Sequence, residues 1–288
     1  MADTARRIRI AAPQAHTHPI AVVPAALVCG AAIFLFALEL PFYGYAMAVF
    51  GLIGAVLTDR AGHSHRLAAD LALIALGQGI ISLISLKADI SYLNMLVMGT
   101  VLTLSVAVPY VISRYVYGDH AIRFPWRGPR WGRAQWTYLI VVVIAGYLIL
   151  PFYFLNSGVY KNWPSVVEFD ELARLFVGVN AVGIWDELFF ICTVFTLLRR
   201  HFSPWLANIL QAIVFVSFLW ELGYQSWGPL LTIPFALVQG AIFHLSKNLF
   251  YVVTVHLLFD LVVWLVIVRA HNESWAWIFP LVQNFTLG

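Results

Sequence analysis

Five ionisable residues lie inside apolar stretches of the C-terminal half: Asp186 and Glu187, Glu221, and His256 with Asp260. An ionisable group at the middle of a bilayer costs about 2.5–3.5 kcal/mol on insertion scales. Two acids in succession, in W-D-E-L-F-F-I over residues 185–191, therefore need a compensating reason. His256 and Asp260 stand four positions apart, so on a helix they share a face and either present to one point or bond each other. Asp186 and Glu187 are successive and point about 100° apart on a helix. One is expected to face a site, the other to sit behind it or face a neighbouring helix. Asn180, one heptad before Glu187, can line the same face. Carboxylates and an imidazole in a membrane cavity suit several chemistries. A carboxylate can act as general base on water. The same groups can hold a metal that polarises water, relay protons in a transporter, or join helices as polar glue. Composition and spacing do not choose among them.

The elements that must position these groups are membrane helices. The chain has 288 residues, 61% hydrophobic and 11% charged, with a mean hydropathy of +0.84. A soluble domain carries about 25% charged residues, so a soluble globular protein is excluded. The apolar runs are near-continuous and not alternating, which excludes barrel strands. The expected fold is all-α, a polytopic transmembrane helix bundle of about nine spans. The formal charge of +3 is no nucleic-acid signal, because the basic residues fall in loops. Cys29 and Cys192 lie inside spans and read as small packing residues, with no disulfide indicated.

Residues 1–18 read as a cytoplasmic N-terminal tail bearing Arg6, Arg7 and Arg9. The apolar run that follows is long and lacks a small-residue cleavage site, so it reads as a first span and not a signal peptide. The spans are expected at 19–40, 42–57, 67–86, 90–112, 138–155, 170–198, 205–222, 230–245 and 249–268. N-terminal helices thus fill 19–156, a core domain 157–270, and a short aromatic tail 271–288. The loop 114–136, with F-P-W-R-G-P-R-W-G-R, divides the chain and reads as a topology anchor along headgroups. With the N-terminus cytoplasmic, only Lys87, Lys161, Arg174 and Arg269 of the 17 basic residues fall on the other side. That split obeys the positive-inside rule. It suits a multi-pass protein of a bacterial inner membrane.

The second half resembles the CAAX-protease and bacteriocin-processing (CPBP or Abi) family of intramembrane proteases over about residues 170–268. The family's EExxxR signature, often E-E-L-F-F-R-G, stands as D-E-L-F-F-I-C from Asp186 to Cys192. Its FxxxH motif stands as S-F-L-W-E-L from Ser217 to Leu222. Its HxxxN or HxxxD motif is matched in full by His256-Leu-Leu-Phe-Asp260, with Gly240 upstream. The resemblance implies an intramembrane endopeptidase cutting a membrane-embedded or lipidated peptide, such as one with a prenylated cysteine. It places Asp186 at the water-activating glutamate, Glu187 at the second glutamate, His256 at the last histidine, and Asp260 where an oxyanion or ligand is held. The family is described both as metal-dependent and as metal-free, so one zinc-like divalent metal on Glu221 and His256 is the cofactor the resemblance allows. The chain departs from the motifs at four positions: Asp186 for Glu, Ile191 for Arg, Ser217 for Phe and Glu221 for His. His244 is a candidate replacement for the missing histidine. Trp185, Phe189 and Phe190 are expected to pack around the acids and keep the cavity dry.

The protease reading expects Asp186, Glu187, Glu221 and His256 to converge in one cavity, open to the cytoplasm or laterally to lipid. A catalytically silent member acting as a membrane scaffold, and a proton-coupled carrier, are the alternatives.

Overall fold

A computed structural model describes residues 18–282. The expectations for residues 1–17, including the three-arginine tail, and for 283–288 lie outside the described residues. The described chain is all helical, with no strand. Helix α1 (Val22–Ala32) follows a 3-10 turn and continues as a π-helical turn, Ile33–Ala37. Helices α2 (Pro41–Arg60) and α3 (Leu67–Ile81) follow. Then come α4 (Tyr92–Val111) and α5 (Arg133–Ser157). Helix α6 (Phe169–Asp186) runs on as a π-helix, Glu187–Phe195, into the short α7 (Thr196–Leu198). The chain closes with α8 (Pro204–Leu222), α9 (Pro229–Ser246) and α10 (Leu249–His271).

Local chemistry sets these boundaries. Ser91, Ser203 and Asn248 accept bonds from the backbone N–H groups of Asn94, Leu206 and Tyr251 at 3.3, 3.3 and 3.2 Å, starting α4, α8 and α10. Proline opens α2, α8 and α9, where its missing N–H costs nothing. The Glu171 carboxylate accepts from the N–H groups of Val167 and Glu168 at 2.9 and 3.2 Å, closing the first turn of α6.

Among the described residues, 8 helical stretches are long and apolar enough to cross a membrane. The expected third span is the exception. Helix α3 has 15 residues and ends at Ile81, because Ser82 and Leu83 turn back onto Gln78 and Ile80. Large apolar side chains such as Phe42, Phe50, Leu93, Leu96, Ile140 and Leu230 face outward. So extensive an apolar exterior suits lipid as its solvent. The protein is a multi-pass integral membrane protein.

Two apolar clusters flank the site. One gathers Phe36, Phe189, Phe190, Phe215 and Phe218 where α1, the π-helix and α8 meet. The other gathers Tyr153, Phe154, Trp163 and Val266 where α5, the segment after it and α10 meet. At the basic end of the bundle, a buried ionic cluster joins the first turn of α3 to the α4–α5 and α7–α8 connections. Asp70 accepts from Arg200 Nη1 at 2.9 Å and pairs with His201 Nε2 at 2.7 Å. Arg200 Nη2 also reaches Asp119 at 2.6 Å.

Candidate active site

The site is built on α6, α9 and α10. Asp186 is the last residue of α6 and Glu187 the first of the π-helix. The wider repeat also shows in the side chains: Thr193 and Thr196 donate to the carbonyls of Leu188 and Ile191, five residues back, at 2.9 and 3.1 Å. Such segments often occur at functional sites. The acids are held from outside by Trp185. Its Nε1 donates to Leu102 O at 2.7 Å and reaches Ser105 Oγ at 3.2 Å, and its ring stacks on Phe189 with centroids 5.3 Å apart. As the sequence suggests, these aromatics are core packing beside the acids, although Trp185 also lines the cavity.

Glu187 and His256 form the tightest pair. His256 Nδ1 lies 2.7 Å from Glu187 Oε1, and Gln239 Nε2 donates to the same oxygen at 2.7 Å. An ionised carboxylate only accepts, so Nδ1 carries the hydrogen and Nε2 is left to face elsewhere. Nε2 lies 3.6 Å from Asp186 Oδ2 and 3.8 Å from Asp260 Oδ1. The i, i+4 spacing of His256 and Asp260 thus brings both to one point. Glu187 is fully buried and does not line the cavity, whereas Asp186, His256 and Asp260 do. Phe235 closes on the imidazole edge-to-face, with centroids 4.9 Å apart.

Three carboxylate oxygens at this point, Asp186 Oδ1, Glu187 Oε2 and Asp260 Oδ2, are buried and make no hydrogen bond among the described residues. Buried polar groups are normally paired. Three unpaired ones around a single imidazole mark a place that accepts polar atoms of water or a substrate.

Close approach of α6 and α10 depends on Gly183. A Cβ there would lie 1.9 Å from Asp260 Oδ2 and 3.3 Å from His256 Cδ2. Gly240 does the same for α8 and α9: its Cβ would lie 1.9 Å from Asn208 Oδ1. That contact keeps α9, and with it Gln239, close to the bundle. Neither Gly183 nor Gln239 stands out in the sequence. The only sign of Gln239 is an amide inside an apolar run.

The cavity has a volume of about 310 Å³. It extends from the acids between α4 and α6, past Met98 and Val182, to Ala88–Ile90 and Trp163. Ile90 precedes the first residue of α4, and the arginine-rich loop follows that helix's other end. The cavity thus reaches the bundle end opposite the basic loops, and it runs laterally between two helices.

The structure does not bring every expected residue to this point. Glu221 lies one residue before the end of α8, and its Oε1 accepts from Leu86 N at 2.9 Å. The motif position is filled, but the helix has turned its side chain to the 82–91 connection. The expected metal pair, Glu221 with His256, is therefore not formed. Among the described residues, no three of His, Cys, Asp and Glu stand where they could hold a metal. His244 is half-buried at the end of α9 against Phe195, with ring centroids 6.5 Å apart. Asn180 bonds back to Phe176 O at 2.8 Å, and Ser217 to Ile213 O at 2.7 Å. Ile191, at the family's arginine position, is fully buried in the apolar core.

A family described as type II CAAX prenyl endopeptidase Rce1-like matches residues 168–262. No curated protein and no solved structure matches the chain. The matched segment contains Asp186, Glu187, His256 and Asp260, and over residues 168–262 the chain is similar to that family of CAAX-type endopeptidases.

Proposed function

We propose that the protein is an intramembrane endopeptidase that hydrolyses a peptide bond of a membrane-anchored substrate. One observation carries this reading: His256 is fixed by Glu187 through Nδ1 and presents Nε2 beside Asp186 and Asp260 at the end of a cavity. Asp186 takes a proton from water, and the water oxygen adds to the scissile carbonyl carbon. The proton passes to His256 Nε2 and from there to the leaving amine nitrogen as the C–N bond breaks. Glu187 orients the imidazole and stabilises its charged form, and Gln239 orients Glu187. General acid–base steps of this kind contribute about 10²–10⁴-fold each. The shorter stem of Asp186 is offset by the close approach that Gly183 permits.

Turnover measured after dialysis against a chelator separates hydrolysis by these side chains and water from hydrolysis that needs a bound divalent ion. The basic loops favour an orientation with the N-terminus cytoplasmic. The cavity's end then faces away from the cytoplasm, and a substrate in the cytoplasmic leaflet reaches the acids from the side, between α4 and α6. The CAAX-type family of the domain favours a lipidated peptide as that substrate.

Reconstitution into liposomes with prenylated and otherwise membrane-anchored peptides tests the reading. Cleavage by the wild type and its loss in H256A and Glu187→Gln are expected. Turnover equal in all three would remove the proposal, and a wild type that binds such peptides without cutting them would make the protein a scaffold.

A further inference from the structure

The proposed hydrolysis needs a hydrogen-bond donor for the oxygen that gains charge when water adds to the carbonyl. Among the residues expected from the sequence, Asp186 and Asp260 are acids, Glu221 points elsewhere, and His256 is committed to moving the proton to the leaving nitrogen. We infer that Tyr224 is that donor, a catalytic residue beyond the family motifs; the inference rests on the endopeptidase reading.

Tyr224 lines the same cavity as Asp186, His256 and Asp260, and it lines a second, smaller one with His256 and Asp260. None of the hydrogen bonds among the described residues uses its hydroxyl, which leaves the O–H available to a ligand. The charges of Asp260 and Asp186 both act on it. Burial, and then those charges, push its ionisation well above the usual tyrosine range. The group therefore stays a donor wherever the carboxylates are ionised.

Its position is fixed by the chain around it. Gly223 takes a φ of +130°, a conformation L side chains rarely adopt, and a Cβ there would lie 2.9 Å from the Trp163 ring. Asn162 Nδ2 donates to Gly223 O at 2.9 Å, and Tyr224 N bonds Leu219 O at 3.0 Å. The ring itself packs edge-on against Trp163 and Phe154, with centroids 5.2 and 5.8 Å away. A tyrosine three residues beyond the family's histidine position thus reaches the cavity that Glu221 does not. In the reaction the hydroxyl keeps its proton. It donates a hydrogen bond to the carbonyl oxygen while the tetrahedral adduct exists, and it is released when the C=O bond re-forms and the C–N bond breaks.

The test is Y224F, which deletes the hydroxyl and keeps the ring, measured in proteoliposomes beside the wild type and H256A. Loss of a single oxyanion donor typically lowers kcat about 10²–10³-fold. A fall of that size is expected, with KM little changed. A phosphinate peptide analogue, which mimics the adduct, should lose affinity for Y224F by a similar factor. Y224F turnover equal to wild type, with H256A inactive, overturns the Tyr224 assignment and leaves the endopeptidase reading standing. A wild type that neither cleaves the peptides nor binds the phosphinate overturns both.

Discussion

Two clusters in this molecule bury acids beside a histidine, and they differ in kind. At the basic end, Asp70 has both oxygens partnered, one by Arg200 and one by His201. Arg200 also pairs with Asp119, so positive and negative groups alternate. At the other cluster, Asp186, Glu187 and Asp260 surround one imidazole with no arginine or lysine among their partners. Each of these acids keeps an oxygen without a hydrogen bond, and a cavity reaches two of them. The first arrangement is what a membrane protein needs to hold its loops together. The second is unbalanced as a structural element and fits a place where water and a substrate complete the bonding. Buried ionisable groups in membrane helices are functional candidates by default. Under the endopeptidase reading, the pattern of satisfaction, more than burial, separates the candidate site from the structural cluster.

The largest expected effect that tests this contrast is on stability. Removing one partner of a buried ion pair costs about 3–5 kcal/mol. Asp70→Ala should therefore shift unfolding in detergent strongly, while turnover per folded molecule stays near wild type. A D70A protein that folds normally but has lost activity would merge the two clusters into one functional unit.

Gly183→Ala should behave in the opposite way. The added Cβ must displace the Asp260 carboxylate, and misplacing a reacting group by about 1 Å can cost about 10²-fold in rate. Turnover should fall by about that factor, with a smaller stability change than in D70A, read by thermal unfolding. Unchanged turnover would show that Asp260 need not stand where it does.

The smallest effect is expected at Glu221. Gln keeps an acceptor for Leu86 N, so Glu221→Gln should leave kcat and KM within a factor of about 2, since an uncharged acceptor suffices for a neutral N–H donor. A large loss in E221Q would restore Glu221 to the active site.

Much of this was legible in the sequence. The uninterrupted apolar runs mark the helices, and the i, i+4 spacing of His256 and Asp260 anticipated their approach on one face. The adjacency of Asp186 and Glu187 implied divergent directions, and the structure has Asp186 lining the cavity and Glu187 bonded to the imidazole. What escaped depends on tertiary context. Motif alignment put Glu221 in the site, but α8 ends at Leu222, and the final turn aims that side chain at Leu86. The π-helix from Glu187 has no compositional mark, because helix widening is decided by packing. Gly183, Gln239 and Tyr224 are unremarkable residue types that matter only through what approaches them.

If the unbalanced cluster performs hydrolysis, turnover of a membrane-anchored peptide depends on the Asp186 carboxylate, and Asp186→Asn removes it. Measured in proteoliposomes and normalised to folded protein, the variant should fall about 10³-fold or more, because the amide cannot accept the water proton. Turnover by D186N equal to that of the wild type would remove Asp186, and with it this cluster, from the hydrolysis.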